Sequence, residues 1–302
     1  MFKRVMLFIL TNMAVLLVLS IVYNLLLASG VLGPWASPGT LAGLLVMASI
    51  FGMGGAFISL LMSKWMARMS TGAQIIETPR NADEAWLKST VERLARQAGV
   101  GTPDVAIYDS PVPNAFATGA RRDHAMVAVS TGILQSMSRE QLEGVLGHEL
   151  THVANGDMVT LTLLQGVLNT FVIFLSRIVA EIVGRAVARD DRGGGGMSYI
   201  AYFVTSLIAQ ILFGILASMI VMAFSRWREF RADAGGAKLA GRGKMISALQ
   251  RLQAMHEPSA LPKQLQAFGI ADGQGMSRLF MSHPPLEERI AALQKAQVEG
   301  NV

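Results

Sequence analysis

Apolar residues along the chain collect into four long runs separated by stretches of mixed pattern: Val5–Ala28, Leu41–Met62, Met158–Leu175 and Tyr199–Phe224. A helix needs about 20 consecutive apolar residues to cross a bilayer core, so the pattern predicts about four transmembrane helices in two pairs. Lys3 and Arg4 precede the first run, residues 29–40 carry no charge, and Lys64 and Arg68 follow the second run. Positive charge gathers on the cytoplasmic side of membrane proteins, which puts both ends of this first hairpin, and the chain after it, in the cytosol. A cleaved signal peptide fits less well, because the first run is long for such a segment and a second follows at once. Gln165 and Asn169 interrupt the third run. The stretch before the fourth holds Arg177, Arg185, Arg189 and Arg192 against Glu181, Asp190 and Asp191, awkward for an exported loop. The second pair either crosses the membrane or forms a hairpin lying partly in it or packed on the soluble part; the spanning arrangement is carried forward. Gly52-Met53-Gly54-Gly55 lies inside an apolar run and reads as a close helix contact.

Between the runs the pattern is that of a soluble α+β domain with a small sheet. Asn81-x-x-Glu84 can cap a helix carrying Trp86, Leu87, Val91 and Leu94 to a stop at Gly99. Val105–Tyr108 and Ala125–Ser130 read as short strands. The extended segment between them, with Asn114, Ala115, Phe116 and Ala117, is either an ordinary hairpin arm or an edge strand that pairs with an extended peptide. Ser138-x-x-Gln141 is a capping box, and Leu142, Val145, Leu146, Leu150 and Val153 form the apolar stripe of a helix that Asn155-Gly156 ends.

Composition agrees with the runs: 52% hydrophobic and 16% charged residues, with a mean hydropathy of +0.42, suit a mostly helical membrane protein. The net charge of +5 is accounted for by residues flanking membrane segments, and no basic run interleaved with aromatics points to nucleic acid. Zero cysteines exclude disulfides, thiolate ligands and a cysteine nucleophile.

The chemistry lies in the capped helix. In His148-Glu149-x-x-His152 the two histidines stand one turn apart on one helical face and can converge on one metal ion, with Glu149 beside it. Catalytic Zn²⁺ takes three protein ligands and leaves a fourth position for water, and an adjacent carboxylate can serve as general base. Just past the fourth apolar run, Glu229 and Asp233 share a helical face. Glu229 can complete a two-His-one-Glu site, and Asp233 can accept a hydrogen bond from a ligand histidine. His283, before Pro284 and Pro285, is read first as a helix cap, with a fourth metal ligand or an oxyanion donor as the alternative; Arg289 is a weaker candidate donor. His124 and His256 read as solvated, and Asp157 as a cap for the following segment.

Taken together, the N-terminal hairpin, Asn114–Gly119, His148–His152 with Asn155-Gly156-Asp157, Arg228-Glu229-Phe230 with Ala232-Asp233, and Ser282-His283-Pro284-Pro285 resemble the HtpX family of bacterial heat-shock membrane proteases. These are gluzincins related to the CAAX prenyl proteases. The resemblance covers nearly the whole chain. It implies a membrane-bound zinc endopeptidase with one Zn²⁺ per chain, His148, His152 and Glu229 as ligands and Glu149 as base. It further implies a multi-pass protein of the bacterial inner membrane whose cytosolic active site cleaves damaged or misfolded membrane proteins alongside an FtsH-type protease. The domains expected are a transmembrane hairpin at 1–70, the first protease part at 71–157, a second hairpin at 158–225 and the second protease part at 226–302. In the best-known relative histidine is expected at the positions of Trp227 and Arg231, and neither is histidine here. The alternatives are a CAAX-type prenyl-protein protease, against which four spans argue, and a non-catalytic metal-binding scaffold or transporter, in which an intact Glu149 has no purpose.

Overall fold

Three of the apolar runs become long helices in the computed structural model of the protein, which describes residues 17–19, 21–22, 24–30, 39–190, 199–256 and 281–298. These helices are α1 (Leu41–Thr71), α5 (Asp157–Asp190) and α6 (Tyr199–Ala240), each long and apolar enough to cross a membrane. The first apolar run, Val5–Ala28, lies largely outside the described residues, although those described between Leu17 and Ala28 are helical. α6 runs 42 residues without a break, so the fourth apolar run and the segment bearing Glu229 and Asp233 are one helix.

The described residues divide into two compact units, Met1–Ser59 with Leu161–Val221, and Leu60–Thr160 with Met222–Val302. In the first unit α1 and α5 approach closely. A side chain at Gly52 would begin 2.5 Å from the Thr170 backbone, and one at Gly166 2.8 Å from Met53 Sδ. Alanine and serine (Ala48, Ala180, Ser176, Ser206, Ala209) fill the buried positions, while Phe171, Phe203, Ile211 and Leu216 face outward. This small-inside, large-outside distribution suits helices surrounded by lipid.

The second unit is built around a four-stranded sheet of β1 (Gln74–Ile75), β2 (Asp104–Tyr108), β3 (Ala115–Thr118) and β4 (Met126–Ser130) in the order β1-β2-β4-β3. β2 and β4 are parallel, and the outer strands are antiparallel to their neighbours. The crossover leaves β3 on an edge. Against the sheet pack α2 (Ala82–Ala98) and α4 (Arg139–Asn155), with α3 (Thr131–Ser136), α7 (Arg242–His256) and α8 (Leu286–Val298) completing the unit. Leu87, Val91 and Leu94 of α2 meet Leu146 and Leu150 of α4 and Val127 and Val129 of β4 in one apolar core.

Caps fix the ends of the two central helices. Asn81 accepts hydrogen bonds from the amides of Asp83 and Glu84, and Gly99 ends α2 at a φ of 68°. Ser138 and Gln141 form a reciprocal capping box on α4, and Gly156 closes it at a φ of 69°, a conformation that favours glycine.

One ion-pair cluster ties three helices together. Glu143 of α4 accepts hydrogen bonds from Arg93 of α2 at 2.6 Å and Lys244 of α7 at 2.8 Å. Burial opposes its ionisation, but these two cations outweigh that effect and hold the carboxyl below its usual range. Its stabilising contribution is therefore complete above the unfolded-state value of about 4.3 and is lost as pH falls through the lower folded-state value. Glu143→Gln should cost about 1–3 kcal/mol at pH 7. Denaturant titrations of both proteins should show the difference narrowing below about pH 4.

Candidate metal centre

The centre forms where α4 and α6 come closest. On α4, Gly144, Gly147, His148 and Thr151 share a face; on α6, Glu229, Asp233, Gly236 and Ala240 recur at one-turn intervals. A Cβ at Gly236 would stand 2.9 Å from the His148 amide nitrogen, and one at Gly235 2.2 Å from the Thr151 side chain. Two glycines on α6 thus admit the backbone of α4, and this contact lets a carboxylate as short as Glu229 reach both histidines.

His148 Nε2 and His152 Nε2 lie 3.1 Å apart, Glu229 Oε1 lies 3.3 Å from His152 Nε2, and Glu229 Oε2 lies 3.6 Å from His148 Nε2. These three residues can hold one metal ion. In a tetrahedron with arms of about 2.0–2.1 Å, as zinc prefers, the ligand atoms are about 3.3 Å apart, so the donor set fits that ion. Two imidazole lone pairs at 3.1 Å repel one another unless a cation or a proton lies between them.

Each ring is held from behind by a carboxylate. His148 Nδ1 is 2.9 Å from Asp233 Oδ1, and His152 Nδ1 is 2.6 Å from Asp157 Oδ2. Donation from both Nδ1 atoms leaves the Nε2 lone pairs facing inward. Each carboxylate in turn meets a buried arginine. Arg289 of α8 donates to Asp233 at 2.7 and 2.6 Å through Nε and a terminal nitrogen, and Arg228 of α6 pairs with Asp157. Two parallel Arg–Asp–His chains result. With Glu149 and Glu229 included, four carboxylates face two guanidinium groups, an excess of two negative charges that one divalent cation balances.

The electrostatics follow from these contacts. Burial disfavours the Glu229 anion, but hydrogen bonds from His152 and His283 and the charges of His148 and Arg289 prevail, holding the carboxyl far below its ordinary range. Burial likewise acts against Asp233, and Arg289 and His148 more than reverse it. Desolvation alone lowers the Arg289 pKa, yet Asp233 and Glu229 raise it above the ordinary value. Glu229 and Asp233 are thereby held as anions and Arg289 as a cation.

Of the residues singled out from sequence, His148, His152, Glu229 and Asp233 meet in this cage. Glu149 stands at its mouth and accepts a 2.9 Å hydrogen bond from the Ala117 amide of β3. Asn114 and Ala115 line the same cleft of about 600 Å³. His283 also lines it, and its Nδ1 lies 2.7 Å from Glu229 Oε2 with the side chain 63% exposed. Three residues escaped the sequence reading of the cage. Asp157, expected to be a simple cap, is 1% exposed and orients His152. Arg289, weighed as an oxyanion donor, is committed to Asp233. Arg228 carried no assigned role. The available signal was an acid five residues beyond His152 and arginines beside or facing the ligands, since buried arginine requires acidic partners. Trp227 and Arg231, where histidine is expected in the best-known relative, stack on each other with the guanidinium 4.9 Å from the ring centroid. Both are exposed, away from the cage.

Comparison with known proteins places this geometry in a family context. Residues 81–297 match peptidase family M48. Protease HtpX of Thioalkalivibrio sulfidiphilus is 56% identical over 98% of this chain and 99% of its own length. The Protease HtpX homolog of Nitrosomonas europaea is 59% identical over 98% and 100%, and Protease HtpX of Stenotrophomonas maltophilia is 59% identical over 99% and 100%. The crystal structure of Ste24p from S. mikatae aligns with a TM-score of 0.61 at 18% identity, covering 92% of this chain and 66% of that one. This chain therefore spans about two thirds of Ste24p, and the likeness is one of fold.

The Arg–Asp–His chains can be tested without removing a ligand. Arg228→Gln and Asp157→Asn should each weaken zinc affinity about 10–100-fold, measured by competition with a chromophoric chelator, while folded protein is still recovered. Affinity within twofold of wild type for both would show that the chain behind His152 is dispensable.

Proposed function

Because the chain belongs to peptidase family M48, we propose that this membrane metalloprotease is a zinc-dependent endopeptidase of the bacterial inner membrane, cleaving damaged or misfolded membrane proteins at the cytosolic face. The observation that carries the reading is the set of three converging ligand atoms, 3.1–3.6 Å apart, with both histidine Nδ1 atoms already engaged. His148, His152 and Glu229 hold the zinc. When bound there, zinc supplies Lewis-acid polarisation and a water of lowered pKa.

The chain's own residues supply the rest. Glu149 takes a proton from the attacking water and returns it to the leaving amine. The Ala117 amide fixes that carboxylate by bonding one of its oxygens. In β3 the Asn114 carbonyl accepts from the Ser130 amide of β4, so by alternation the polar groups of Ala115 and the Ala117 carbonyl point away from β4, on the side where the Ala117 amide is taken by Glu149. An extended substrate can pair there, as Asn114, Ala115, Phe116 and Ala117 suggested from sequence. Ile133, Val145, Leu249, Leu252 and Leu286 line the adjoining cleft and suit an apolar substrate side chain, abundant in membrane proteins. His283, tied through Nδ1 to Glu229, fits a donor to the substrate carbonyl oxygen better than a fourth ligand.

The apolar runs of the sequence support two membrane hairpins, 1–70 and 158–225, alternating with protease parts at 71–157 and 226–302. The uncharged segment at 29–40 and the basic residues Lys64 and Arg68 towards the end of α1 favour a cytosolic site. The family resemblance adds an overlap in task with an FtsH-type protease. A scaffold leaves the position of Glu149 without purpose.

Detergent-purified protein supplied with zinc should cleave an unfolded substrate and stop on addition of chelator. Glu149→Gln should retain about one zinc per chain while losing at least about 10²-fold in rate, and Glu229→Ala should lower zinc occupancy by elemental analysis. Near wild-type cleavage by Glu149→Gln, or cleavage insensitive to chelator, would contradict the mechanism.

A further inference from the structure

The membrane-spanning unit contains a second cavity, of about 510 Å³, that the protease reaction does not use. Its walls come from the start of α1 (Thr40, Leu44, Met47), the far part of α5 (Arg177, Ile178) and Tyr202 near the start of α6. The apolar spans begin at Leu41, end at Gly184 and begin at Ile200, respectively. All three walls thus belong to span ends, the depth of lipid headgroups.

Arg177 is the unusual group there. Among the described residues its guanidinium makes no hydrogen bond or ion pair; its Nε is buried without a partner, and the group only stacks over the Tyr202 ring at 5.8 Å. A buried donor without a partner is costly, and the planar fork of guanidinium matches phosphate oxygens. Glu181, one turn along, is exposed on the rim and has a contact of its own. The start of α1 adds partial positive charge on the opposite wall, where Thr40 Oγ1 accepts from the Gly43 amide at 2.9 Å. Leu44, Met47 and Ile178 provide an apolar surface beside this cationic corner.

We propose that the cavity binds an anionic phospholipid, with Arg177 donating to the phosphate and an acyl chain lying along Leu44, Met47 and Ile178. A headgroup without its own cation is preferred, because the corner presents a guanidinium and a helix N-terminus to it. The bound lipid joins the ends of α1, α5 and α6.

Native mass spectrometry of the full chain tests this, with phosphatidylglycerol and phosphatidylcholine of matched acyl chains supplied in separate arms and inorganic phosphate in a third. Wild type should retain phosphatidylglycerol about fivefold more than phosphatidylcholine. Inorganic phosphate in excess should not displace it. Arg177→Gln should abolish the preference while zinc content and proteolysis in phosphatidylcholine stay at wild-type level. Arg177→Lys, which keeps the charge but not the fork, should retain part of the preference. Equal retention of the two lipids by wild type, displacement by inorganic phosphate, or an unchanged preference in Arg177→Gln would each overturn the proposal. The wild-type and lysine arms decide the matter if the glutamine variant does not fold.

Discussion

The second unit is organised around two imidazole nitrogens held 3.1 Å apart, whose lone pairs face each other when both Nδ1 atoms donate to their carboxylates. Unaided, such a contact is repulsive, and the surrounding structure is what keeps it in place. Asp233 and Asp157 fix the far side of each ring, Arg289 and Arg228 fix the carboxylates, and the arginines come from different helices, α8 and α6. Breaking any link leaves a charge buried without its partner, a costly state in a water-poor interior.

Backbone proximity makes this cage possible. α4 and α6 approach through glycine, so that His148 lies against Gly236 and Thr151 against Gly235. On the other side of α4, the edge strand β3 supplies the amide that steadies Glu149. His148, Glu149 and His152 therefore lie on one helix between Glu229 of α6 and the Ala117 amide of β3, and that helix is clamped to its neighbours by the Arg93–Glu143–Lys244 cluster. The same α6 that brings Glu229 begins as an apolar span.

Local signals were legible in the sequence, and long-range pairings were not. The capping box at Ser138, the stop at Gly156 and the spacing of His148 and His152 are each written within a few neighbouring residues. Glu229 and Asp233 could be found because a histidine pair requires a further anionic ligand and a hydrogen-bond acceptor. By contrast, Asp157 looks like a helix start from its neighbours, and only the folded chain brings Arg228 to it. Arg289 is separated from Asp233 by 56 positions, a distance over which no pattern in a single sequence reports pairing. The unbroken length of α6 was also hidden, because hydropathy falls at Arg226 and Gly235-Gly236, poor helix formers, interrupt the pattern before Ala240.

The claim on which this account rests is that two imidazoles and the Glu229 carboxylate share one zinc ion. X-ray absorption at the zinc edge of the purified protein measures that directly. The account predicts the scattering of two imidazole groups with the remaining positions filled by oxygen, and the same spectrum in the His283→Ala variant. A third imidazole that disappears in His283→Ala, or a spectrum of the Glu229→Gln protein indistinguishable from wild type at full occupancy, would contradict it.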